Sequence, residues 1–278
     1  MTQLVVRRLL VDMNAPMARH WCAGDAFRTA FFNALSMSFP VGEQFFIDAV
    51  RQGSQALSPD VQAPFSEQVQ GFVGQEATHR RLHELYNQQL ERLGLENRWG
   101  PRAQERLRQL AGLDPRHALG ITAANEHFTS IFADWLLKNP DVLGNDDPRL
   151  ATLWLWHSAE ESEHRNVAFD LYRALGGNEE WRLRWFRRVT VFFVTDLLRQ
   201  TVLNLRRDRT LWRWGTWQGA AVFLFGRQGL VRRTFTPWRD YLRADFHPAQ
   251  HDAQAAEQWL HANRAAYAPV GGSNRAQK

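Results

Sequence analysis

Apolar residues recur along most of the chain at the three- and four-residue spacing that gathers them on one face of an α-helix. Phe27, Phe31, Leu35 and Met37 mark such a face over Asp25 to Ser38. Pro40 is expected to break or kink that helix before a second segment over about 41–52. Ser58-Pro59 is a good helix start, with serine as the cap and proline at the first position. After Pro64, the positions Phe65, Val69, Phe72, Leu82 and Leu85 carry a helical face to Leu93, where Gly94 closes it. A short helix over about 102–111 follows, then one from Asp114-Pro115 to about Lys138, then one from Pro148 to about Leu175, stopped by Gly176-Gly177. Residues 178–245 hold two or three more helices, broken at Gly215, Gly226 and Gly229, and 250–266 the last. Residues 2–13 read as an extended or strand-like arm.

Four of these segments carry an unusual chemistry. In chain order they present a lone acid, Glu43, among apolar residues; Glu76-x-x-His79; a second lone acid, Glu126; and His157-x-x-x-Glu161-x-x-His164. On a helix, His157, Glu161 and His164 stand at i, i+4 and i+7, stacked on one face. Glu, Glu-x-x-His, Glu, Glu-x-x-His is the ligand pattern of helical bundles that hold a carboxylate-bridged metal pair. The expected fold is therefore all-α: a ferritin-like four-helix bundle with a dinuclear metal site, plus additional C-terminal helices. The expected divisions are an arm over 1–24, the bundle over 25–176, a basic helical extension over 177–266 and a disordered tail over 267–278. The expected metal ligands are Glu43, Glu76, His79, Glu126, His157, Glu161 and His164, with Glu43, Glu126 and Glu161 taking part in the chemistry itself.

Oxygen and imidazole donors without thiolate suit iron or manganese, and the expected cofactor is a pair of iron ions. His83, Glu160 and Glu163 are candidates for outer positions around the ligands, as are Asp134 and Asp170. His127, about 100° from Glu126 on its helix, reads as structural. Ser130, one turn after Glu126, is a candidate proton donor. No tyrosine stands four residues after His79 or His164, where His83 and Ala168 are found. This argues against a tyrosyl-radical generator, and the chain's length argues against iron storage.

Composition narrows the class. The single cysteine, Cys22, excludes an internal disulfide and points to a reducing compartment. Met1 to Pro16 has no sustained apolar run, and the stretch Val189 to Leu198 is too short to span a bilayer, so a cytoplasmic location is expected. Residues 1–180 carry a net charge of −6 and residues 181–278 one of +11. The acidic part holds the candidate ligands. The basic part, rich in Trp and Arg over 181–243, reads as a cover on the bundle, with peripheral membrane contact as a second use. Nucleic-acid binding is not expected, since no recognition motif accompanies the charge.

Two resemblances bear on function. The ligand order, with its extra His157, resembles that of the di-iron arylamine N-oxygenases of the p-aminobenzoate N-oxygenase type. Longer blocks look like the bacterial family labelled "predicted metal-dependent hydrolase". They comprise Phe39-Pro40-x-Gly42-Glu43-x-Phe45-Phe46, Gln75-Glu76-x-x-His79-x-x-x-His83, Trp156-His157-x-x-Glu160-Glu161-x-Glu163-His164 with Val167 to Asp170, and Phe246-His247-Pro248. The first implies O2-dependent oxidation of an apolar or aromatic small molecule, with an electron donor as partner. The second implies metal-dependent hydrolysis. A homodimer and a non-enzymatic metal-holding protein are compatible with the same residues.

Overall fold

The computed structural model describes residues 4–270. Its helices are α1 (Ala26–Gln55), α2 (Pro59–Gln62), α3 (Ser66–Arg92), α4 (Trp99–Arg108), α5 (Pro115–Lys138), α6 (Pro148–His164), α7 (Val167–Ala174), α8 (Glu179–Arg207), α9 (Trp214–Phe225), α10 (Leu230–Asp240) and α11 (Gln254–Ala262). Two short strands, β1 (Arg7–Leu9) and β2 (Tyr267–Pro269), pair antiparallel with Arg8 opposite Ala268. The fold is all-α with this one ribbon. The tail expected from 267 therefore begins with an ordered strand, and its remainder, 271–278, lies outside the described residues.

Capping follows the sequence except at Ser58, which precedes the four-residue α2 with Pro59 at its first position but makes no side-chain cap hydrogen bond. Asp25, Asp114, Asp147 and Asn178 each accept a backbone N–H in the first turn of α1, α5, α6 and α8. Gly94 ends α3 with φ +81°, a conformation that favours glycine.

Pro40 does not end α1, which runs 30 residues through it. A proline inside a helix leaves the carbonyl four residues back without its donor and disturbs the next. Here Asn87 Nδ2 donates to Ser36 O at 2.9 Å and Asn97 Nδ2 donates to Met37 O at 2.7 Å. Two asparagines thus stand in for the missing ladder, and the helix continues. The helix expected from Pro148 to Leu175 is instead two, with a turn at Arg165-Asn166. The Arg165 guanidinium there reaches the carbonyls of Pro248, His251 and Asp252. Gly215 lies inside α9; the break before it falls at 208–213, where Arg209 has φ +58°.

Helices α1, α3, α6 and α5 pack in a closed ring, α1 on α3, α3 on α6, α6 on α5 and α5 on α1. Two apolar clusters fill it. One gathers Phe31, Phe32, Leu82, Tyr86, Trp135, Leu136, Leu153 and Trp154. The other gathers Phe46, Val50, Phe72, Leu119, Ala124, Val167, Leu171 and Tyr172. On each helix chain the candidate ligands fall between the residues of one cluster and those of the other. The chemistry is thus a polar layer held between two dry ones. Helix α8 covers α1 and α5, α9 lies on α1, and α10 lies on α5 and α9. No described helix is long and apolar enough to cross a membrane.

Candidate metal centre

All seven expected ligands are buried, and they converge. Ligand atoms of Glu76, Glu126, Glu161 and His164 lie within 4.8 Å of one another, and so do those of Glu43, Glu76 and His79, and those of His79, His157 and Glu161. Glu76 and Glu161 therefore belong to both halves of the cluster, while Glu43 and Glu126 stand at opposite ends. His164 Nε2 is 3.1 Å from Glu76 Oε1, 3.4 Å from Glu126 Oε2 and 3.5 Å from Glu161 Oε1. Two donors at right angles around an ion with bonds of about 2.1 Å stand about 3 Å apart, so these spacings suit shared coordination.

The atoms facing the centre of the cluster have no hydrogen-bond partner. Both carboxylate oxygens of Glu43, Glu76 and Glu126, together with Glu161 Oε2, His79 Nδ1 and His164 Nε2, are buried and unsatisfied. Native interiors leave such groups unpaired rarely, because each costs roughly 1–3 kcal/mol and a charged one more. Two divalent ions would satisfy all of them and cancel the four carboxylate charges.

Each imidazole is held from behind by its other nitrogen. His79 Nε2 lies 3.0 Å from Glu160 Oε2, and His164 Nδ1 donates to Gln75 Oε1 at 3.0 Å. His157 Nδ1 lies 2.8 Å from His83 Nε2. The direction of that last bond follows from its neighbours. Ser36 Oγ donates to Asn87 Oδ1, so it must accept from His83 Nδ1–H at 2.9 Å. His83 Nε2 is then an acceptor, and His157 carries its proton on Nδ1. Its bare Nε2 points at Glu161 Oε1, 2.9 Å away. A lone pair facing a carboxylate oxygen is repulsive unless a cation joins the two.

The titration directions agree. Burial, and after it the carboxylates around them, hold Glu43 and Glu126 well above the ordinary range, and Glu76 is raised too. Burial and then His79 push His157 down to about 4, so it is a neutral donor. Burial also works against a proton on His79, but the carboxylates of Glu160 and Glu161 outweigh it and lift the group to about 9.

Around the ligands runs a second circuit. Arg7, on β1, donates to Glu160 Oε1 and to both oxygens of Glu163. Gln75 Nε2 donates to Glu163 Oε2 while its own oxygen receives His164. The two Glu-x-x-His histidines are thus joined through Glu160, Arg7, Glu163 and Gln75. Glu160 and Glu163 lie in this circuit behind His79 and His164, while His83 lies behind His157 and also has a ring nitrogen grouped with ligand atoms of Glu43 and His157. Asp134 and Asp170 do not: Asp134 pairs with Lys138 and Asp170 with His247. Ser130 donates to His127 O, and His127 lies 3.1 Å from Pro237 O, away from the cluster. Sequence reasoning missed Arg7, and it quoted Gln75 only as a neighbour of Glu76. The triplet spacing Glu160, Glu163 on the ligand helix was the one signal that a buried cation had to come from elsewhere.

A cavity of about 550 Å³ lies on the other side of Phe39 from the cluster, lined mainly by apolar side chains from α1, α4, α5 and α8, with Arg106 and Arg188 among them. Phe39 lines it and also touches the imidazoles of His157 and His83, at ring-centroid distances of 4.9 and 4.6 Å. The aromatic rings of Phe72 and Trp156 pack on His164 and His79 from the other sides.

Fold and site together define an all-α protein with a buried carboxylate–imidazole cluster suited to metal. The chain belongs to the family described as "Predicted metal-dependent hydrolase", whose family model matches residues 5–252. No curated protein and no solved structure matches it.

Proposed function

We propose that the chain is an enzyme whose seven buried donors hold two iron ions, and that it oxidises an apolar or aromatic small molecule with O2. The observation that carries this reading is the membership of Glu76 and Glu161 in both halves of the cluster. In this reading Glu43, Glu76, Glu126 and Glu161 would hold the ions, with His79, His157 and His164 as neutral donors. Four carboxylates can change their binding mode as metal charge changes, which a redox cycle needs and a fixed structural site does not. Bound iron supplies the electrons that make O2 reactive. The chain's own residues do the rest. Phe39, Phe72 and Trp156 exclude water. His83 keeps the proton of His157 on Nδ1, and Arg7 fixes the supports of His79 and His164. The cavity beside Phe39 receives the substrate, and Arg188 at its lining favours a substrate with an anionic end.

Hydrolysis is the second reading, and the family's description favours it. The same ion pair would then make bound water acidic enough to attack an ester or related bond. One sequence of measurements separates the two. Elemental analysis should find two irons per chain, and anaerobic Fe(II) protein mixed rapidly with O2 should consume it with a transient visible absorbance. Ester turnover by the zinc-loaded protein without O2 would replace oxidation by hydrolysis. A protein that binds no metal would remove both.

A further inference from the structure

Twelve of the seventeen exposed large apolar side chains among the described residues lie between Val191 and Phe235, on α8, α9, α10 and their links. Trp212 and Trp214 are 92% and 76% exposed. Helix α9 has no charged residue along its length, from Trp214 to Phe225. A helix apolar all round is ordinarily buried, yet Trp214, Trp217, Val222 and Phe225 of α9 face outward. On α8 the exposed residues Val191, Val194, Leu198 and Val202 form a second stripe at helical spacing. The three helices cover the same α1–α5 side of the molecule.

Cations flank this apolar face. Arg187, Arg199, Arg206, Arg213, Arg227 and Arg232 are exposed, and of these only Arg199 stands within 4 Å of a carboxylate among the described residues. The two acids between 184 and 239 are already engaged: Asp196 by Arg102 and Arg106, Asp208 by Arg19 and His20. The face is therefore apolar and positive with almost no free negative charge.

We propose that α8, α9 and α10 dock on an anionic lipid surface. Charge selects this occupant over a second copy of the chain. A two-fold interface brings a patch against itself, which would set these arginines against one another, whereas acidic headgroups neutralise them. Tryptophan prefers the headgroup level of a membrane, and Trp212 and Trp214 stand farthest out of the face. With no described helix able to cross a bilayer, the helices lie on the surface with their apolar side in it. Arg188 and Phe192 line the cavity beside the metal centre and are themselves exposed on α8, so the cavity opens on the docking face. An apolar substrate can pass from lipid to cavity without crossing water. The docking itself needs neither metal nor turnover.

Vesicle flotation of the full chain tests this. Vesicles of phosphatidylcholine with about one-third phosphatidylglycerol should bind it at least about tenfold more tightly than phosphatidylcholine alone, and added salt should weaken the binding. The double variant Trp212→Ala/Trp214→Ala should lose about tenfold in vesicle affinity with unchanged circular dichroism, melting temperature and metal content. A second variant, Val222→Glu, should likewise weaken vesicle binding at least about tenfold and leave the oligomeric state unchanged. No flotation at low salt, or equal flotation of all variants, would overturn the proposal. So would an oligomer of the parent chain that Val222→Glu dissociates while flotation is absent, since the face would then bind a second copy.

Discussion

The ligand layer and the α8–α10 cover break the usual rule of apolar inside and polar outside, in opposite ways. In the first, seven ionisable side chains are buried with nine of their polar atoms unpaired. In the second, large apolar side chains stand in water beside arginines that, Arg199 apart, meet no carboxylate among the described residues. In the two readings proposed above, the complement of the first is cationic and small, and that of the second is anionic and extended. The contrast also separates two kinds of cost. Unpaired buried charge is paid for in the stability of this fold, while exposed apolar surface costs folding little and is expressed in what the molecule sticks to.

The largest effect that sharpens this contrast is metal removal. A ligand that binds only the folded state at a thousand times its dissociation constant adds about 4 kcal/mol. Chelation should therefore lower the melting temperature by many degrees, and Glu161→Ala should reduce bound metal to one ion or none by elemental analysis. Arg7→Ala comes next. It strands Glu160 and Glu163 and loosens the supports of two ligands, and loss of such outer partners weakens metal affinity roughly 10- to 100-fold. Competition with a chromophoric chelator measures it. The same variant should leave vesicle binding unchanged.

A pH effect follows in size. His79 is raised to about 9, and Glu43, Glu76 and Glu126 are raised as well. A raised group stabilises the fold below its unfolded value and loses that contribution as pH climbs through its folded one. The metal-free protein should therefore melt at progressively lower temperature between about pH 6.5 and 9, and the loaded protein should not. Equal slopes would remove the cluster's carboxylates as the cause. Smaller again is Asn87→Ala, which leaves the Ser36 carbonyl opposite Pro40 without its donor, for about 1 kcal/mol in chemical denaturation. The smallest is Val222→Glu on the cover, expected within about 0.5 kcal/mol of the parent.

How far the chain could be read in advance divides along similar lines. The buried carboxylate–imidazole cluster was legible because helical spacing and donor chemistry are both local: i, i+4 and i+7 say where side chains point before any packing is known. The helix starts at Asp25 and Asp114 were legible for the same reason. The break expected at Pro40 does not occur because Asn87 and Asn97, about fifty residues away, supply the donors its ring removes. The turn after His164 is likewise tied to carbonyls at 248–252. Arg7 was invisible because its partners stand more than 150 residues later. The cover was seen as basic and aromatic, but a list of residues does not say which side of a helix faces water.

The strand that backs Arg7 has a further consequence for how the protein comes into being. During synthesis every ligand, from Glu43 to His164, emerges from the ribosome before Tyr267–Pro269. The ribbon that backs Arg7 can therefore pair only after every helix carrying the cluster has been made. A nascent chain can collapse around its donors while their outer supports are still loose, and ions can exchange in that interval. Assembly of the centre then has a natural order: gather, load, and only at the end fasten.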